Sequence, residues 1–151
     1  MFDMFGMLKR VLKGEVAFNL ERGEMMYGGN RIVAVPANLW DVVIEELEHY
    51  FGEASVVVFE KLGEAVAKSM RQSMGWKTAE EVLKEFPVVA KMGGFGVVKV
   101  SGDVIYLENL PVVLKEGYAR HIAGFMRGLC LEPVDMKFEG RSLSVRYKTT
   151  C

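Results

Sequence analysis

The chain has 151 residues, half of them apolar and about a quarter charged, with a formal charge of −1. That length fits one domain of ordinary globular composition, and the near-neutral charge argues against a protein held to nucleic acid mainly by phosphate contacts. No apolar run is long enough for a membrane span, and the start lacks the charge order of a signal peptide. Cys130 and Cys151 are the only cysteines, too few for a disulfide framework, so a reduced, cytoplasmic setting is the simpler reading.

Residues 1–13 read as a short amphipathic helix, with Met4, Phe5, Leu8, Val11 and Leu12 at helical spacing. A single domain is expected over residues 14–151. Its first part, 15–35, reads as three short antiparallel strands, punctuated by a turn at 21–24 and by Gly28-Gly29-Asn30, and ended by Pro36. Asn38 is placed to cap a helix over 39–51 with Trp40, Val43, Ile44 and Leu47 on one stripe. A second helix over 53–73 offers Val57, Val58, Leu62, Ala65, Val66, Ser69 and Met70 on one side, widened by Phe59. Gly63 inside it costs about 1 kcal/mol against Ala, which suggests close approach of a neighbour.

Thr78-Ala79-Glu80-Glu81 has the pattern of a capping box. Pro87 either kinks the helix that follows or opens the next turn, and Gly93-Gly94 ends it. Strands over 95–100 and 104–107 flank a hairpin turn at Ser101-Gly102-Asp103. A helix over 113–130 turns Leu114, Tyr118, Ile122, Phe125, Met126 and Leu129 inward, with Gly117, Gly124 and Gly128 implying a close neighbour. A last hairpin pairs 134–138 with 143–147. Strands, then helices, then strands give an α+β class with an antiparallel sheet and helices packed on it.

The residues offer little conventional catalytic chemistry. His49 and His121 stand apart from any metal-ligand spacing, so no metal site is expected. Cys130 lies in an apolar setting at a helix C-terminus, which does not lower a thiol pKa. No serine sits in a nucleophile motif, and Gly93-Gly94-Phe95-Gly96 precedes a strand where a dinucleotide loop would follow one. No catalytic residue and no cofactor is therefore assigned. The unusual feature is soft apolar bulk: 10 Met, 9 Phe, 5 Tyr and 2 Trp. Trp40, Met70, Met74, Trp76, Phe86, Met92 and Phe95 could line an apolar pocket, or simply fill a core.

Several short motifs recur together over residues 14–149. They are Arg31-Ile32-Val33-Ala34-Val35-Pro36, Phe51-Gly52-Glu53-Ala54, Lys61-Leu62-Gly63-Glu64, Gly93-Gly94-Phe95-Gly96-Val97-Val98, Glu108-Asn109-Leu110-Pro111 and Ala123-Gly124-Phe125-Met126-Arg127-Gly128. In their order and spacing the chain resembles the vinyl-4-reductase domain family, especially its stand-alone archaeal members described as hydrocarbon-binding. That family is similar in fold to the transport-particle subunits of vesicle tethering. The resemblance implies a homodimeric, non-catalytic module or sensor for a small apolar ligand of hydrocarbon, lipid or aromatic type. For such a module the lining candidates among the apolar residues are Trp40, Phe59, Met70, Met74, Trp76, Phe95 and Phe125, with Tyr118 and His121 as a polar end. Alternatives are a homodimeric scaffold with a self-filled core, and a tetrapyrrole vinyl reductase component. Many members carry cysteines before the last helix's Ala-Gly motif and around the final hairpin; Tyr118-Ala119-Arg120-His121 and residues 136–144 have none here. The resemblance therefore implies no metal or redox role at those places.

Overall fold

The computed structural model describes residues 13, 16–33 and 35–151. The expected helix over 1–13 lies, but for Lys13, outside them. The chain forms two compact units, Met1–Pro36 and Ala37–Cys151, so the strands expected to open a single domain belong to a unit of their own.

In the first unit, β1 (Val16–Asn19), β2 (Glu24–Tyr27) and β3 (Asn30–Ile32) form an antiparallel meander. Tyr27 pairs with Asn30 across Gly28-Gly29. Both glycines have positive φ (54° and 82°), as a tight two-residue hairpin turn requires. Glu24 holds Arg22 at 3.3 Å and Arg31 at 3.5 Å.

The second unit opens with α1 (Leu39–Phe51), a short 3-10 turn at Gly52–Ala54, and α2 (Ser55–Met74). Asn38 occupies the cap position of α1, but its own backbone is already helical (φ −67°, ψ −11°), and its side chain makes no capping bond. Then come α3 (Ala79–Met92), β4 (Val97–Ser101), β5 (Val104–Glu108), α4 (Glu116–Gly128), β6 (Leu131–Glu139) and β7 (Ser142–Thr149). The capping box of α3 is formed: Thr78 Oγ1 accepts from the Glu81 amide at 3.3 Å, and Glu81 Oε2 accepts from the Thr78 amide at 3.2 Å. Pro87 lies inside α3, which runs on through it.

The sheet of this unit is antiparallel in the order β4-β5-β7-β6. Both late hairpins are present, and β6 begins three residues earlier than expected because Leu131 is drawn into the core at 1 % exposure. A bulge separates Pro133 from Asp135, which restores the inward register of Met136 opposite Val145. The class is thus α+β, with two antiparallel sheets, each within its own unit. Val98, Ile105, Leu107, Leu143, Val145 and Tyr147 give the second sheet one apolar face. Phe59, Val82, Ile122, Met126 and Leu129 join them in the core.

One orientation differs from the expectation. The side of α2 with Val57, Val58, Leu62, Ala65, Val66 and Ser69 is exposed. The buried side carries Ser55, Phe59, Gly63 and Ala67. It packs along α4 through glycines on both helices. A Cβ built on Gly63 would run into the His121 carbonyl, and one on Gly124 into the Glu60 carbonyl. Backbone-to-backbone approach of this kind is open only to helices without side chains at the crossing. Glu60 closes the seam, forming an ion pair with Arg127 and lying 3.9 Å from Arg120.

The cysteine reading is also corrected. Cys130 and Cys151 form a disulfide, with Cα atoms 5.5 Å apart, because the end of β7 returns beside the α4–β6 junction. Among the described residues no helix is long and apolar enough to cross a membrane, and no cluster of His, Cys, Asp or Glu could hold a metal.

Candidate functional site

The α2–α4 seam fixes where the polar members of the apolar core stand. Gly117 meets the Phe59 ring, 2.9 Å from where a Cβ would be, so Phe59 packs against the first turn of α4. One turn further, His121 is 7 % exposed, and its Nδ1 lies 3.3 Å from the Phe59 carbonyl oxygen. A carbonyl only accepts, so Nδ1 donates, and Nε2 of the neutral ring presents a lone pair. Burial holds the His121 pKa below the usual imidazole value, with the Phe59 carbonyl opposing weakly. The ring is therefore neutral at pH 7.

Tyr118, three residues earlier on α4, is 5 % exposed and stacks near-parallel to His121, with ring centroids 6.1 Å apart. Burial, with a contribution from the Asp41 carboxylate, pushes its pKa up to about 12. Its phenol is thus a firm hydrogen-bond donor. Trp40, in the first turn of α1, completes the cluster, 5.2 Å from His121 and 6.3 Å from Tyr118 between centroids. No described residue bonds to the Tyr118 hydroxyl or to His121 Nε2. Since no fully buried side-chain nitrogen or oxygen lacks a partner, both atoms retain some accessible surface. The cluster thus combines aromatic faces with one hydroxyl donor and one imidazole acceptor.

The nine residues singled out from sequence are only partly brought together. Trp40, Tyr118, His121 and Phe59 form this cluster. Met70, Met74 and Phe125 pack half-buried on the core, with Phe125 5.7 Å from Phe86 between ring centroids, while Trp76 is buried. Phe95 stands apart at 47 % exposure, its ring folded over Gly93. Asp41, which sequence reasoning passed over, adds a negative charge that helps raise the Tyr118 pKa. It follows Trp40 directly in the chain, but nothing local signals that role.

A separate surface groove of about 300 Å³ runs between α4 and β6, past Ala119, Arg120, Ala123, Val134, Met136 and Phe138. None of the nine candidates borders it. Arg120 is bonded to Glu116 at 2.9 Å and Arg127 to Glu132 at 3.0 Å, so the guanidinium charge along this groove is already neutralised.

No protein-family profile matches the chain, and no curated protein matches it by sequence. A solved structure does match in fold: the phenol-responsive sensory domain of the transcription activator PoxR, crystallised with phenol. The two superpose with a TM-score of 0.55 over 97 % of this chain and 91 % of that one, at 14 % identity. The two chains thus share an α+β fold. PoxR itself is a phenol-responsive activator.

Proposed function

We propose that this chain is a non-catalytic binding module for a small aromatic molecule bearing a hydroxyl, seated on Trp40 with its polar group between Tyr118 and His121. The observation that carries this reading is the buried cluster itself: a neutral imidazole with a free acceptor, a phenol held protonated, and an indole face within 6.3 Å. The fold shared with a phenol-responsive sensory domain supports it. The sequence resemblance to the vinyl-4-reductase family, with its apolar ligands, points the same way. We also infer that the module works as a homodimer. In support, the α2 stripe of Val58, Leu62, Ala65 and Val66 is exposed and apolar.

Calorimetric titration of the full chain with phenol tests the site. One phenol per chain is expected. Trp40→Ala abolishes uptake, and Tyr118→Phe weakens it by roughly tenfold, the worth of one hydrogen bond. A folded protein that takes up neither phenol nor a larger aromatic alcohol overturns the reading. So does binding indifferent to both substitutions. Sedimentation of the wild type and of Leu62→Glu tests the dimer separately.

A further inference from the structure

The proposed ligand site leaves one chemically distinctive cluster unused. Cys130 is 5 % exposed and takes a left-handed backbone conformation (φ 66°) where α4 hands over to β6. Its disulfide partner Cys151 is exposed, two residues beyond β7. Arg71, in the last turn of α2, lays Nη1 against Cys130 Sγ and 3.1 Å from Cys151 Sγ. Among the described residues no carboxylate pairs with this guanidinium. The Thr150 amide donates to the Cys130 carbonyl at 3.0 Å, so the backbone holds the two strands together beside the sulfurs.

We propose that Cys130–Cys151 is a thiol–disulfide exchange site for a small thiol of the glutathione type, in which Cys151 is attacked and Cys130 released. Two features of the geometry set that direction. An incoming thiolate must approach along the S–S axis from outside, which the exposure of Cys151 allows and the burial of Cys130 forbids. The sulfur that leaves carries the negative charge, and it leaves into the guanidinium of Arg71. In the first step the thiolate sulfur bonds to Cys151 Sγ, the protein S–S bond breaks, and its electron pair passes to Cys130. A second small thiolate then attacks the outer sulfur of the mixed disulfide. This releases the small-molecule disulfide and leaves Cys151 reduced. The protein gains two electrons and two protons, and two small thiols are oxidised to one disulfide. Run backwards, glutathione disulfide first loads Cys151, and Cys130 displaces it.

The sequence offered no sign of this. Cys130 looked inert because its neighbours in the chain are apolar, whereas the cation that changes its chemistry lies 59 residues away. The site is independent of the ligand reading and stands or falls without it.

The test uses the full chain equilibrated with mixtures of glutathione and glutathione disulfide, quenched by alkylation and mapped by peptide mass spectrometry. The expected adduct is on Cys151, with Cys130 never carrying glutathione. Arg71→Ala slows opening of the disulfide by roughly three- to tenfold, and Arg71→Lys restores part of the rate. In Cys151→Ser the thiolate absorbance of Cys130 appears at lower pH than in the same variant carrying Arg71→Ala. An adduct on Cys130 overturns the proposal, as does a rate unchanged in Arg71→Ala or an air-oxidised protein whose mass shows two free thiols.

Discussion

Replacing Gly128 by alanine isolates the α2–α4 seam. Helix propensity alone makes this change favourable by about 1 kcal/mol. The seam reverses the sign. A Cβ at residue 128 would stand 2.5 Å from the Glu64 carbonyl oxygen and 2.6 Å from the Ala67 Cβ, where ordinary contact begins at 3.4 Å. Neither neighbour is the far end of a flexible side chain, so the helices must part by about 1 Å, a gap that forfeits roughly a quarter to a half of each dispersion contact across it. Overpacking of this kind costs about 3 kcal/mol at its upper range. Against the propensity gain, the net loss is about 2 kcal/mol, or roughly 4–8 °C in Tm for a chain of this length. Thermal unfolding followed by tryptophan fluorescence and circular dichroism reads it. Ala65→Gly, on the exposed side of the same helix, gives the propensity scale and should cost about 1 kcal/mol. Ala67→Gly removes one of the two obstructing atoms, so it should cost less in the Gly128→Ala background than alone. A Gly128→Ala protein as stable as the wild type, or more so, refutes the account of the seam.

Two further outcomes follow from titration. Tyr118 is raised to about 12 against an ordinary value of 10, so the stability it contributes is present below pH 10 and lost as pH rises towards 12. Ultraviolet titration should show its ionisation late, and Tyr118→Phe should remove that late component; an unchanged curve contradicts its burial. His121 is shifted the other way, favouring the neutral ring in the fold. Its contribution is complete above the unfolded value near 6.5 and declines as pH falls below it, because the unfolded chain then takes up the proton more readily. Urea midpoints measured between pH 7 and 5 should fall less steeply in His121→Gln than in the wild type.

Much of the second unit was legible because it obeys local rules. The capping box at Thr78 and the two late hairpin turns are each made by residues within four positions of one another, and all three form. The inward positions of α4, read from period alone, are buried except for the half-buried Phe125. The buried side of α2 escaped the same method for a physical reason. Periodicity weighs apolar side chains, and the α2–α4 contact is built from their absence at Gly63, Ala67, Gly124 and Gly128. The sequence did signal the approach, since three glycines in one helix are costly without it, but not which helix would make it. Of the site, the residue types were visible and their convergence was not. Trp40 and His121 are brought together only by the packing of α1 on α4, and the Arg71 contact to Cys130 has no local trace.

The seam and the candidate site are one device. His121 keeps its tautomer because Nδ1 donates to the carbonyl of Phe59, and that carbonyl is within reach because Gly63, one turn further on, lets α2 lie against the His121 backbone. Widening the crossing at that point pulls donor and acceptor apart. Gly63→Ala places a methyl on the His121 carbonyl, which the backbone can relieve only by moving α2 away. The Phe59 bond then lengthens, Nδ1 loses its assigned partner, and the proton is free to sit on either nitrogen. The folded variant should show mixed tautomers by nitrogen chemical shifts at His121, where the wild type shows Nδ1–H alone. Phenol affinity should fall although no residue touching the ligand has changed, because the acceptor at Nε2 is then only partly populated. Weaker binding with the tautomer intact would mean that the seam holds the ring in place without governing its chemistry. An unchanged tautomer together with unchanged affinity would separate the glycine crossing from the site altogether.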